Sequence, residues 1–266
     1  MGAAILASVD GEILPPEEAT ISILDDGLLR GDGAFEVIKL YGHHPFRLDD
    51  HVARLRRSAD AIHLGFDEQA LRTEIAALLA DGGDPDGCLR IVITRGGRRL
   101  LTIEQVPDWP ASARIALITL TPSEILAGVK SISYAANMHA TRLAVERGAD
   151  EAVYVDAAGT VLEAPTSSIF WTAADGTLRT PALAVGILDS ITRAVVVAAL
   201  DVEEGTFPKQ ELLGARAAFL ASTTREIQPV SAIDGDDLET TGDEHAAAAA
   251  AALRDEVARD RSEAEA

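Results

Sequence analysis

At 266 residues and 47% hydrophobic, the chain exceeds what one small core usually organises. Its formal charge of -20 at pH 7 repels nucleic-acid phosphates and anionic membrane surfaces. One cysteine, Cys88, excludes an internal disulfide, and six scattered histidines lack zinc or haem ligand spacing, so no metal is expected. No basic segment followed by an apolar core opens the chain, and no apolar run reaches the roughly 20 residues of a membrane helix. These features predict a cytoplasmic protein of one or two domains whose partners are small molecules or proteins.

The first 120 residues alternate extended and helical patterns. Residues 3–8 read as a strand before a turn at Gly11, and a second extended run precedes "EEATISILDDGLL". "GDGAFEVIKLYGHHPFRL" reads as a hairpin, with a strand over 34–40, a turn over 41–45 and a return through Phe46. In "HVARLRRSADAIHL", Val52, Leu55, Ala59 and Ile62 recur at helical spacing, with Asp49 or Asp50 as cap and Gly65 as stop. A second helix follows over 67–79, and "CLRIVITRG" and "RIALITL" are strands.

"TPSEILAG" is short, polar and holds a proline, which predicts a linker over 121–127 between domains at 1–120 and 128–240. Beyond it, "VKSISY" is strand-like and "AANMHATRLAVERG" is a helix stopped by Gly148. "EAVYVDAAGTVLEA" reads as a hairpin turning at Ala158 and Gly159, and "GILDSITRAVVVAALDV" as a loop entering a helix. "AAFLASTTREIQPVSAID" reads as strand, polar turn and strand, and 241–266 as an exposed helix with a frayed end.

Only three of the 23 basic residues are lysines, and one of them, Lys130, sits inside an apolar stretch. Taken alone, such a lysine usually lays its stem on apolar surface and sends its ammonium to water. The chemical alternative is a desolvated amine that attacks a carbonyl carbon.

The neighbouring motifs decide between these readings. From about Ile21 to Asp234 the chain resembles the class IV, or fold type IV, aminotransferases that depend on pyridoxal 5'-phosphate. "GVKSISYAANMHATRLAVERGADEAVYVD" is similar to that family's lysine segment, and Lys130 matches the lysine that carries the cofactor as a Schiff base. "GTVLEAPTSSIFW" places Glu163 on the glutamate that faces the pyridine nitrogen. "GILDSITR" places the backbone N-H groups of Ile191 and Thr192 on the cofactor phosphate, a role a helix N-terminus suits. "ASTTREIQPV" resembles a second phosphate-side turn with a hydroxyl from Thr223 or Thr224, and Arg54 matches a phosphate-pairing arginine. Each feature alone reads as an ordinary turn or surface residue, but together they follow the family's order.

"LLRGDGAFEVIKLY" resembles the strand whose side chains face the substrate. Gly31 and Gly33 lack the third glycine of a dinucleotide-binding loop, which removes that reading. Phe35 stands where D-amino-acid aminotransferases carry a tyrosine that holds the substrate carboxylate. "TRGGRRLLTIE" lacks their histidine, and Cys88 precedes Arg90 where branched-chain enzymes carry a tyrosine. A carboxylate needs a cationic fork, for which Arg90 is the first candidate and Arg30 the second, with Arg98 and Arg99 open.

The resemblance implies an α+β fold with a small N-terminal α/β domain and a larger C-terminal α/β pseudo-barrel domain, assembled as a homodimer. It implies a transaminase working between a D-amino acid and a 2-oxo acid. The competing readings are an aminodeoxychorismate lyase, which forms 4-aminobenzoate, and a branched-chain L-amino-acid aminotransferase.

Overall fold

The computed structural model describes residues 2–238 and 244–265. The expected boundary between residues 240 and 241 falls outside them. The chain divides into two compact units: Met1–Asp108 with Val129–Tyr134 and Arg259–Ala266, and Trp109–Gly128 with Ala135–Ala258.

In the first unit the elements run β1 (Ala4–Val9), β2 (Glu12–Leu14), α1 (Asp26–Arg30), β3 (Gly33–Tyr41), β4 (His44–Pro45), α2 (Leu48–Ala61), α3 (Glu68–Asp81), β5 (Cys88–Thr94) and β6 (Arg99–Glu104). The strands form one antiparallel sheet in the order β2-β1-β6-β5-β3-β4. Alternation along the strands sorts its faces. Ile38, Leu40, Leu89, Ile91, Leu101 and Ile103 pack under Leu55, Ala59, Leu71, Ile75 and Leu78 of the two helices. Phe35, Val37, Arg90, Val92 and Thr102 alternate with that set and belong to the opposite face.

The hairpin forms, but its turn is tighter than the expected 41–45: Tyr41 pairs with His44 and Leu40 with Pro45, which leaves Gly42 and His43 to turn. Asp67 caps α3 by accepting from Ala70 N at 3.0 Å. The start of α2 differs from expectation. Arg47, with φ 48, is its N-cap and makes no side-chain cap bond, whereas Asp49 and Asp50 lie in the first turn, where the helix dipole favours acids. The stop differs too. His63 turns left-handed at φ 53 and Leu64 N bonds back to Ala59 O at 2.8 Å, so the helix has ended before Gly65.

The second unit contains β7 (Ala113–Thr119), α4 (Ala135–Glu146), β8 (Glu151–Val155), β9 (Ser168–Thr172), β10 (Leu178–Pro181), α5 (Ile191–Ala199), β11 (Val202–Gly205), α6 (Lys209–Leu213), β12 (Ala217–Ser222), β13 (Glu226–Ile233) and β14 (Asp236–Asp237). Its eight-stranded sheet runs β11-β10-β9-β12-β13-β7-β8, with β14 on β13. The pairs β10–β11, β13–β7 and β7–β8 are parallel. Val153, Ile169, Trp171, Leu220 and Val230 build one core, while Phe170 and Phe219 stack at 5.0 Å in another with Val196 of α5.

Helix α7 (Glu244–Ala264) was expected to be exposed, yet Ala246, Ala249 and Leu253 are buried. Small side chains let a helix backbone approach its neighbour closely, so the alanines form a packing face as well as favouring helix. The mixed α and β architecture is the one the resemblance implied. Among the described residues no helix is long and apolar enough to cross a membrane.

Candidate active site

Lys130 belongs to the first unit, on a short segment along the open edge of β3. The sequence suggests a strand here, but only one bridge forms, between Ala34 and Ser131. Tight bonds from Ser131 N to Val129 O (3.0 Å) and from Tyr134 N to Ile132 O (2.7 Å) curl the segment out of an extended ladder. Three bonds still fix its main chain: Phe35 N to Lys130 O (3.0 Å), Ile132 N to Gly33 O (3.1 Å) and Lys130 N to the Ser58 hydroxyl (3.1 Å).

The glycines of "GDG" make this approach possible. Gly31 has φ 67, and a Cβ there would meet Ser133 Oγ at 3.0 Å. A Cβ on Gly33 would meet Ile93 O at 2.4 Å and Ile132 Cδ1 at 2.8 Å. The motif is therefore a seat for the lysine segment. The half-buried ammonium of Lys130 lies 4.5 Å from the centroid of the Phe35 ring, whose face attracts a cation.

Behind this segment the inner face of α2 carries His51, Arg54 and Ser58, three and four residues apart and all buried. Glu36 accepts from Arg54 Nε (2.8 Å), Arg54 Nη2 (2.7 Å) and His51 Nδ1 (2.8 Å). Burial alone would raise the Glu36 carboxyl, but the Arg54 charge and the three donated bonds hold it down at about 2. For His51 burial prevails and lowers its pKa below the ordinary value. The neutral ring then donates Nδ1-H to an ionised carboxylate.

On the opposite face, the Tyr134 ring meets that of Phe35 edge-on at 5.4 Å. Arg90 stands across from Val37, diagonal to Phe35 on the same face. Its Nε and Nη2 donate to the two oxygens of Glu104 at 2.6 and 2.9 Å, and the Thr102 hydroxyl donates to Glu104 at 2.8 Å. Burial works against the Arg90 charge, but this carboxylate outweighs it and raises the pKa. Cys88 is no nucleophile, because burial and Glu104 push its thiol up to about 11.

Arg30 lies elsewhere in the unit: its side chain is 74% exposed and pairs with Asp26 on its own helix. Arg98 bonds Asp10 and Arg99 bonds Glu74.

In the second unit, the Asp156 carboxylate gathers the N-H groups of Ala158 and Thr160, both at 2.8 Å, and makes the expected turn. The return segment brings Glu163 opposite Tyr154, whose N-H donates to Glu163 O at 2.8 Å. The Glu163 carboxylate accepts from Leu188 N at 3.1 Å, in the loop that leads into α5. Glu163 thus holds the approach to Ile191 and Thr192, the first residues of that helix, where N-H groups lack intrahelical partners. Ser190 caps it by accepting from Arg193 N at 3.3 Å. Helix α5 packs on β12, and Thr223 and Thr224 lie half-buried in the turn between β12 and β13.

The sequence reading missed Glu36, His51, Ser58, Tyr134 and Glu104. Glu36 could have been found, since an acid on the same strand face as Ala34, Ile38 and Leu40, beside an arginine-bearing helix, calls for a partner. Glu104 carries no local signal, because its pairing with Arg90 is made by the register of β5 and β6.

The family described as amino-transferase class IV matches residues 33–233. A D-alanine aminotransferase of Bacillus licheniformis is 31% identical over 249 residues, spanning 85% of this chain and 87% of that protein. A putative branched-chain-amino-acid aminotransferase of Methanocaldococcus jannaschii is 30% identical over 252 residues, spanning 85% and 87%. The solved structure of a fold IV transaminase, CpuTA1, from Curtobacterium pusillum superposes with a TM-score of 0.83 at 30% identity, spanning 93% of each chain.

Proposed function

The chain belongs to the class IV aminotransferases, and from that premise we propose that it moves an amino group between a D-amino acid and a 2-oxo acid. The family's cofactor is pyridoxal 5'-phosphate, which when bound supplies an aldehyde carbon for the amino group and a ring that absorbs the electron pair left by the departing alpha proton.

The observation that carries this reading is the setting of Lys130, with both its N-H and its C=O held by hydrogen bonds and its amine against the Phe35 ring. A positioned amine is what both jobs need: it would attach the cofactor and then, once displaced by the substrate, take the proton from the alpha carbon and hand it to the cofactor's aldehyde-derived carbon. The residues present fit the rest of the group. Glu163 would supply a carboxylate for a protonated ring nitrogen, and the N-terminal N-H groups of α5 at Ile191 and Thr192 would hold the phosphate. Thr223 and Thr224 supply hydroxyls, and Arg54 supplies a guanidinium already oriented by Glu36. Arg90 is the residue we assign to the substrate carboxylate, with Arg30 the alternative, and Phe35 forms an apolar wall. A homodimer in the cytoplasm completes this reading.

The Bacillus licheniformis relative supports a D-amino-acid donor. The Methanocaldococcus jannaschii relative favours a second reading, a branched-chain L-amino-acid donor. Amino transfer from D-alanine, L-alanine and L-leucine to 2-oxobutyrate, which carries a single carboxylate, separates them, and turnover of the L-donors alone rejects the first. Borohydride reduction of the cofactor-loaded protein, followed by peptide mass mapping, should place the label on Lys130. A label on Lys39 or Lys209 would end the assignment.

A further inference from the structure

We propose that Glu104 sets the substrate range: its carboxylate takes up the charge of Arg90 on the sheet face beside Lys130, and so disfavours amino acids that carry a second carboxylate in their side chain. The inference rests on the transaminase reading above and deepens it.

Contacts within one unit connect the pair to the lysine. The Lys130 ammonium lies over the Phe35 ring, which also meets the Tyr134 ring edge-on. Strand register places Phe35 and Arg90 on the same face of neighbouring strands, as diagonal neighbours roughly 7–8 Å apart. A substrate held at Lys130 and reaching along this face therefore comes to Arg90.

The arginine does not wait there as an isolated cation. Glu104 occupies its Nε and Nη2 side with both oxygens, at 2.6 and 2.9 Å, and Thr102 holds the carboxylate in that orientation. Glu104 is 6% exposed, so solvent screens its charge poorly. One anion can still meet the outer edge of the guanidinium. A substrate with a further carboxylate brings a second negative charge against Glu104, and like charges placed together at a desolvated site are strongly disfavoured. An uncharged side chain meets no such opposition, and Phe35, Val37 and Val92 offer it apolar surface.

The test is the ratio of kcat/KM for glutamate to that for alanine. It uses whichever enantiomer wild-type enzyme turns over faster, with the protein loaded with pyridoxal phosphate. A ratio cancels differences in the fraction of folded, loaded enzyme. Glu104→Gln keeps the shape and removes the charge, and should raise the ratio at least ten-fold, chiefly through KM for glutamate. Glu104→Asp keeps the charge, and its ratio should stay within about three-fold of wild type. A Glu104→Gln ratio that is unchanged or lower, or a Glu104→Asp ratio that rises as far, overturns the proposal. If wild-type enzyme transfers no amino group from any donor, the transaminase reading falls and this one with it. A flat ratio in an active enzyme removes this inference alone.

Discussion

Glu36 and Arg54 form a two-pronged ion pair in the interior of the first unit, with side chains 0% and 5% exposed. A carboxylate on a buried strand face and a guanidinium on the helix covering it neutralise each other. Removing one partner strands the other away from water. Glu36→Ala should therefore lower unfolding stability by about 3–5 kcal/mol, read as a fall in urea midpoint with an unchanged slope. A loss under about 1 kcal/mol would mean that water reaches Arg54 and the pair is not structural.

The same cluster predicts how stability follows pH. The His51 pKa is lowered from 6.5, so the unfolded chain takes up its proton first, and the stabilisation present above pH 6.5 declines as pH falls below it. Glu36, held at about 2 against an ordinary 4.5, adds a second decline as pH drops from 4.5 toward 2. Arg54 and Lys130 also act on His51, and both oppose its protonation. Urea unfolding between pH 8 and pH 3 should show stability falling in both windows. In His51→Gln the upper decline should shrink, and an unaltered upper decline would assign it to another group.

Gly33 tests the seat of the lysine segment. An added Cβ would lie 2.4 Å from Ile93 O, a backbone atom that cannot swing away, and 2.8 Å from the Ile132 side chain. Gly33→Ala should push the segment off β3, cost roughly 1–3 kcal/mol, and lower kcat more than ten-fold by shifting the Lys130 amine. Full activity in Gly33→Ala would show that the close approach has no part in placing the lysine.

What was legible in the sequence follows the range of each signal. The helix beginning near residue 67, the turn at Ala158 and Gly159 and the helix in "GILDSITR" are written within a few residues, and they stand where expected. The 129–134 segment has strand composition but curls, because its partner is one short edge of β3 and no full ladder is available. Alanines in α7 read as helix formers, and their burial depends on a sheet surface distant in sequence. The candidate site divides in the same way. Lys130 and Glu163 came from motif order, whereas Ser58 beneath Lys130 and Glu104 on Arg90 exist only through tertiary contact.

A buried pair in the second unit permits the sharpest test of this kind of argument. Arg225 follows Thr223 and Thr224, donates from Nη2 to Glu151 at 2.5 Å and from Nη1 to Gln228 at 2.6 Å, and stacks 3.7 Å from the Trp109 ring. Glu151, 2% exposed, has further donors in the hydroxyls of Thr141 and Thr166. Arg225→Met keeps much of the volume but leaves Glu151 charged, buried and short of its cation, at a cost of about 3–5 kcal/mol. Adding Glu151→Gln removes the stranded charge, and the Gln amide can accept from one threonine hydroxyl through its oxygen and donate from its NH2 to the other, so the double variant should be more stable than Arg225→Met alone. The ordering separates two causes. If the burden lies in the unpaired charge, the second substitution rescues stability, as urea midpoints would record. If Arg225 acts mainly by stacking on Trp109, the double variant should be no better than the single one, and the electrostatic account of this cluster would be wrong.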